Sequence, residues 1–266
     1  MWAEGPDGEA ENDDSLVPVE LRAKLAGEPD ALRRAEMIDE TLRPPEPQLL
    51  DTCVLQNVDW VDRQEEGNTR WDDAHEALLV RKYGLDLVED LIALGILYKH
   101  FEDELGYPWL VCNAAIDEAG LLQGPKGKRL IQLMNFFAEH AEQWTTDTYP
   151  AIAQGLLLAR KPRVSPLILQ ALGVQSVEQI TAPDGPLGFL PDRGDRLVTA
   201  HALVSNIPVV LTTDRKTYWS HRDRLIQFGL QVMRPTELLS QYEPYWEAIR
   251  AENERRRADS KKPAPP

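Results

Sequence analysis

Gln48-Leu49-Leu50-Asp51-Thr52-Cys53-Val54-Leu55 carries an apolar run straight into an aspartate, after which apolar residues resume. A second stretch, Ile207-Pro208-Val209-Val210-Leu211-Thr212-Thr213-Asp214, does the same. Each reads as a short buried strand closed by an acid, the first over residues 48–55 with a turn into a helix or loop, the second over 207–213. In an open α/β sheet, ligands bind outside the carboxyl ends of the strands. If the two strands are parallel neighbours, Asp51 and Asp214 lie there together. Upstream of the second strand, Gly194-Asp195-Arg196-Leu197-Val198-Thr199-Ala200-His201-Ala202 reads as a helix over about 195–205 opened by Asp195.

Working outward, apolar spacing predicts helices at 71–83 and 85–101, separated by Gly84, then a strand at Trp109–Cys112. Glu118 follows on a helix that Asn113 is placed to cap. An amphipathic helix is expected at 129–144, with shorter ones at 150–160 and 165–172. Residues 181–194 hold Pro183, Gly185, Pro186, Gly188, Pro191 and Gly194, and read as an irregular loop leading to Asp195. Beyond Asp214 the expectation is a helix at 220–228, a cap at Gly229, a strand at 230–233 and a helix from Pro235 that residues 243–258 extend. Strands alternating with helices argue for an α/β fold, a three-layer α/β/α arrangement with a central, mainly parallel sheet.

Three regions are expected. Residues 1–46 form an acidic leader, disordered over 1–15, with one or two short helices between Pro18 and Leu42. Residues 47–242 form the α/β domain, with helical insertions at about 60–105 and 125–190. Residues 243–266 form a C-terminal helix and tail.

The chain of 266 residues is long enough to bury a full core. No apolar run approaches the roughly 20 residues of a membrane helix, and two cysteines, Cys53 and Cys112, are too few for a disulfide framework, so a cytoplasmic location is expected. No Cys/His spacing suits zinc, and Gly124-Pro125-Lys126-Gly127-Lys128-Arg129 lacks the phosphate-loop pattern. The formal net charge is −15, of which residues 1–47 supply −8 (13 acidic against 5 basic residues). Basic clusters survive at Lys126/Lys128/Arg129, Arg160/Lys161/Arg163, Arg215/Lys216 and Arg222/Arg224. They can hold phosphates or simply form a solvated rim.

Asp51, Glu118, Asp195 and Asp214 are separated by 67, 77 and 19 residues, so only a fold can gather them. Together they offer oxygen ligands for a hard divalent cation, Mg²⁺ or Mn²⁺. Each has a plainer reading. Asp51 and Asp195 can cap helices, Glu118 can be an ordinary first-turn acid with Asp117 equally available, and Asp192 stands in reserve beside Asp195. Thr212 and Thr213 can orient a ligand or merely favour a strand. His201 reads as a satisfied histidine, and Cys53 as core packing.

Asp51-Thr52-Cys53-Val54-Leu55, the helix beginning at Asp195, and Thr212-Thr213-Asp214 resemble, in that order, the PIN domain, a family of metal-dependent ribonucleases. Glu118 best matches the family's middle acid. The chain departs at Cys53, where the family places Asn. The resemblance implies an RNA phosphodiesterase with Asp51, Glu118, Asp195 and Asp214 as metal ligands, Thr213 in the catalytic set, Mg²⁺ or Mn²⁺ as cofactor, and products with 5′-phosphate and 3′-hydroxyl ends. Toxin nucleases of toxin–antitoxin pairs belong to this family, which makes an inhibitory protein and a homodimer contact the partners to look for. The alternative is a catalytically inactive scaffold of the same fold that binds RNA or protein. A dehalogenase-like phosphatase would need an Asp where Cys53 stands.

Overall fold

The structure is a computed structural model that describes residues 15–66, 72–103, 107–112, 114–115, 118, 121–122, 124–148 and 166–260. The expected helix at 150–160, the Arg160/Lys161/Arg163 cluster, Asn113 and Asp117 lie outside the described residues.

The chain divides into two compact units, residues 45–239 and residues 1–44 with 240–266. The larger is an α/β unit around a four-stranded, all-parallel sheet. Its strands are β1 (Gln48–Leu50), β2 (Trp109–Leu110), β3 (Val209–Leu211) and β4 (Gln231–Met233), in the spatial order β2-β1-β3-β4. β1 pairs with β3 in the register Gln48↔Val209, Leu49↔Val210, Leu50↔Leu211. Every residue of β1, β2 and β3 is buried. Because successive side chains point to opposite faces, this run of burial means that both faces of the central strands are shielded from water. Trp109 on β2 anchors an aromatic cluster, with Phe101, Phe137 and Tyr107 at centroid distances of 5.2, 5.7 and 6.1 Å.

Several elements differ from their sequence-based bounds. The first strand ends at Leu50 rather than running to residue 55, and a helix, Thr52–Glu66, begins two residues later. The Asp51 carbonyl already accepts the Leu55 N–H at 3.1 Å, so Val54 and Leu55 are helical core residues, both fully buried. Apolar residues after a strand look alike to periodicity whether they extend it or open a buried helix. The strand expected over 207–213 is confined to Val209–Leu211, and the one expected over 109–112 to Trp109–Leu110. The helix expected at 129–144 spans Pro125–Thr148, with proline at its first position, where a missing N–H costs nothing. Residues 220–228 form not one helix but a 3₁₀ turn Trp219–His221, a short helix Arg222–Leu225 and a second 3₁₀ turn Ile226–Phe228. Gly229 ends that series at φ 78°, a left-handed conformation that favours glycine.

The smaller unit joins the leader to the far end of the chain. Helices Val19–Gly27 and Ala31–Leu42 and residues 240–260 of the helix Pro235–Ser260 surround Leu21, Ile38 and Ala248. Arg34 is 2% exposed there. Its guanidinium grips both Glu252 carboxylate oxygens at 2.7 and 2.9 Å and donates to the Glu28 and Pro29 carbonyls. A bidentate pair of this kind satisfies both charges away from water. Among the described residues, no helix is long and apolar enough to cross a membrane.

Candidate active site

Asp51 stands at the carboxyl end of β1. Its N–H donates to the carbonyl of Leu211 at the end of β3 (3.1 Å), so the last rung of the β1–β3 ladder fixes its backbone. Its side chain is 6% exposed and fully engaged. Oδ1 accepts the Thr52 N–H (2.7 Å), and Oδ2 accepts both the Thr212 hydroxyl (2.8 Å) and the Cys53 thiol (2.8 Å). Burial pushes this carboxyl above its ordinary range, against the Cys53, Thr212 and Thr52 hydrogen bonds, and the nearby Asp214 charge adds to the rise.

Cys53 takes part in the site rather than only packing. Burial and the Asp51 charge push its thiol far up, so it remains protonated and serves as a donor to Asp51. Its sulfur also accepts the Thr213 N–H at 3.3 Å, which links the start of the Thr52–Glu66 helix to the segment after β3.

Asp214 lies three residues past β3. Its backbone N–H donates to Thr212 Oγ1 (2.9 Å), its Oδ1 accepts the N–H groups of Lys216 (2.8 Å) and Thr217 (3.1 Å), and its Oδ2 accepts the Thr217 hydroxyl. Burial alone would raise its pKa. The hydrogen bonds from Thr217 and Lys216 outweigh that and hold the carboxyl below its ordinary value.

The helix expected to open at Asp195 spans Arg193–Val204 and is capped by Asp192, whose Oδ1 accepts the Gly194 N–H at 2.6 Å. Capping is therefore performed by Asp192, and Asp195 sits in the first turn with its carboxyl free of that duty. Its Oδ2 is buried without a hydrogen-bond partner. Burial, with the charges of Asp51, Asp192 and Asp214, pushes its pKa to about 7, while Thr217 opposes the rise. Tyr218, fully buried, donates to the Asp195 carbonyl at 3.3 Å and pairs with the Thr199 hydroxyl, which holds this turn in place.

Glu118 reaches the site from a helical residue on the segment after β2. Its Oε2 accepts the Thr52 hydroxyl at 2.6 Å. Its Oε1 comes so close to Gly194 that a Cβ there would stand 2.5 Å away. Glycine at 194 is what admits this carboxylate to the start of the Arg193–Val204 helix.

These residues line one cleft of about 400 Å³, which Asp51, Glu118, Asp195 and Asp214 share with Asp192, Gln56, Thr217 and Leu122. The four acids expected from the sequence thus meet in one place. Among the described residues lining the cleft there is no Lys or Arg. Thr213 does not line it, and its hydroxyl instead accepts from Asn57 at 2.8 Å. The oxygen that binds the site's aspartates is that of Thr212. His201 caps back onto the Leu197 carbonyl at 2.7 Å and stays outside the site.

An acid-rich lining, in which Cys53 contributes a sulfur among many oxygens, suits a hard divalent cation, and the orphaned Asp195 oxygen supplies an unmet demand for positive charge. Among the described residues, no three or more His, Cys, Asp or Glu side chains are drawn together closely enough to hold a metal ion as they stand. Gln56, Thr217 and Tyr218 escaped the sequence reading because they follow no short motif. Gln56 reaches the cleft only because the helix begins at Thr52, and Thr217 only because the chain turns back on Asp214.

No protein-family model, no curated protein and no solved structure matches this chain.

Proposed function

We propose that the chain is a divalent-metal-dependent ribonuclease with a PIN-like, three-layer α/β/α arrangement around its parallel sheet. The observation that carries this reading is the convergence of Asp51, Glu118, Asp195 and Asp214 in one cleft outside the carboxyl ends of β1 and β3. Asp51, Asp195 and Asp214 would hold Mg²⁺ or Mn²⁺, with Glu118 closing the set from a more exposed position. A bound cation would supply positive charge where cleavage of a phosphodiester develops negative charge. Each side chain has a distinct part. Asp51 is a fixed acceptor, locked by Thr52, Cys53 and Thr212. Asp214 is held below its ordinary pKa by the Thr217 and Lys216 hydrogen bonds. Asp195 carries the carboxyl oxygen with no other obligation. Tyr218, fully buried, supports the Asp195 turn from behind.

Cleavage of labelled single-stranded and structured RNA in Mn²⁺, Mg²⁺ or EDTA tests the reading directly. Metal-dependent cutting that Asp51→Asn abolishes is expected. No cutting of any RNA by folded protein would replace the enzyme with a binding scaffold of the same fold.

A further inference from the structure

We propose that Lys216, Arg222 and Arg224, with the rings of Trp219 and Phe189 beneath the two arginines, form a ledge that holds single-stranded RNA beside the acid cleft. This rests on the ribonuclease reading of that cleft and names the surface that presents its substrate. Residues 215–224 hold four cationic side chains against one acid, Asp223, in a chain of net charge −15. A protein so acidic steers a polyanion poorly from a distance, so any hold on RNA must come from local contacts.

The local geometry has the parts needed. The Arg222 guanidinium lies 4.0 Å from the centroid of Trp219, and that of Arg224 lies 3.8 Å from the centroid of Phe189. A guanidinium seated over a ring at this distance is held there by the ring's negative face. Its outer face is then open to stacking by a base, and its N–H fork can meet a phosphate. Arg222 is partly neutralised by Glu237 (3.2 Å) and Asp223 (3.8 Å), and Arg215 is paired with Asp86. Among the described residues, Lys216 and Arg224 enter no ion pair, and both are exposed.

The ledge is also tied to the site. The Trp219 N–H donates to the Asp214 carbonyl at 3.0 Å, and the Lys216 N–H to the Asp214 carboxylate. Phe189 stands three residues before Asp192. Arg196 pins that loop by donating to the carbonyls of Leu190 (2.6 Å) and Thr181 (2.9 Å). A strand lying on this surface is therefore delivered next to the carboxylates. A duplex keeps its bases stacked on each other and cannot use the exposed guanidinium faces.

The test is fluorescence anisotropy with the full chain, 5′-fluorescein-labelled oligouridylate and EDTA, across a series of salt concentrations. Wild type is expected to bind saturably. The double variant Lys216→Glu/Arg224→Glu, shown by its melting curve to be folded, should weaken binding by about tenfold or more. Its salt slope should fall by roughly 1.4, the share of two phosphate contacts on a single strand. Arg224→Lys, which keeps the charge and loses the plane, should lie between the two. Lys24→Glu/Arg257→Glu, the same charge change made at two exposed residues of the smaller unit, should bind as wild type does. Equal affinity of the ledge variant and wild type, absence of binding by wild type, equal weakening by Lys24→Glu/Arg257→Glu, or equal competition by duplex RNA would each overturn the proposal. Tighter binding of poly-glutamate with the same dependence on Lys216 and Arg224 would assign the ledge to an acidic protein segment and overturn the RNA assignment. Because EDTA separates binding from cutting, a ledge that binds without any metal-dependent cleavage refutes the nuclease reading alone. Cleavage with an unaltered ledge variant refutes the ledge alone.

Discussion

Thr212 joins the two strand-end aspartates through one oxygen atom. Its hydroxyl donates to Asp51 Oδ2 at 2.8 Å and accepts the backbone N–H of Asp214 at 2.9 Å. The hydroxyl is fully buried, so both of its roles are made without competition from water.

Thr212→Val keeps the β-branched shape and removes the bridge. The Asp214 N–H then has no acceptor there and Asp51 loses a donor, at a cost of about 1–3 kcal/mol. Urea denaturation reads the loss, and Thr212→Ser should restore most of it. A valine variant as stable as wild type would show that the bridge contributes nothing.

Asp195→Asn removes a buried carboxylate whose Oδ2 has no partner and which faces the charge of Asp51. In EDTA at neutral pH the variant should melt above wild type, because a neutral amide relieves burial and repulsion together. With millimolar Mn²⁺ the order should reverse, since only wild type gains binding energy from the cation. Identical melting temperatures in EDTA would mean that this carboxyl is not under electrostatic stress.

Gly194→Ala tests the access of Glu118. The added Cβ would stand 2.5 Å from Glu118 Oε1 and 2.9 Å from Asp192 Oδ1. Glu118 lies at the end of an exposed side chain and can swing away, but Asp192 Oδ1 is the cap of this helix, so displacing it offsets the gain of up to about 1 kcal/mol that alanine brings to a helix. The melting temperature in EDTA should change little, while the upward shift produced by Mn²⁺ shrinks. A full Mn²⁺ shift in this variant would exclude Glu118 from cation binding.

Glu252 gives a pH dependence in the smaller unit. Burial opposes its ionisation, but the hydrogen bonds from Arg34 and Arg256 prevail and hold its pKa below the ordinary 4.5. A carboxyl depressed on folding adds stability that is present above its unfolded pKa and lost as pH falls through the folded one. Wild type should therefore lose stability as acid protonates Glu252 below about pH 4.5, and Glu252→Gln should show less of that loss while being weaker at neutral pH. Parallel pH–stability curves for the two proteins would contradict the assignment.

Much of the site was legible because its acids sit where strands end. Asp51 after Leu49-Leu50 and Asp214 after Val209-Val210-Leu211 mark the boundary between a buried run and a polar turn, and the parallel β1–β3 pairing places both at one edge. The leader was legible as helices from the apolar spacing between Pro18 and Leu42, and the structure adds the Asp30 cap that starts the second of them. The extent of the first strand was not, because Val54 and Leu55 are equally apolar in a strand or in a buried helix. The division of labour between Asp192 and Asp195 was also hidden. Both are acids at the start of one helix, and only the backbone shows which of them faces the Gly194 N–H.

The sequence by itself determined an α/β chain with apolar strands ending in acids and the order in which Asp51, Glu118, Asp195 and Asp214 occur. Local patterning encodes these, since alternation, capping and turn residues act over a few positions. Only the tertiary structure decided that the four acids share a cleft, that Thr212 rather than Thr213 ties them together, that Cys53 donates to Asp51, and that Gly194 makes room for Glu118. Apart from the Cys53–Asp51 hydrogen bond, those contacts join residues far apart in the chain, 76 positions for Glu118 and Gly194 and 161 for Asp51 and Thr212. Their energies depend on burial and on distance in space, neither of which a linear pattern carries.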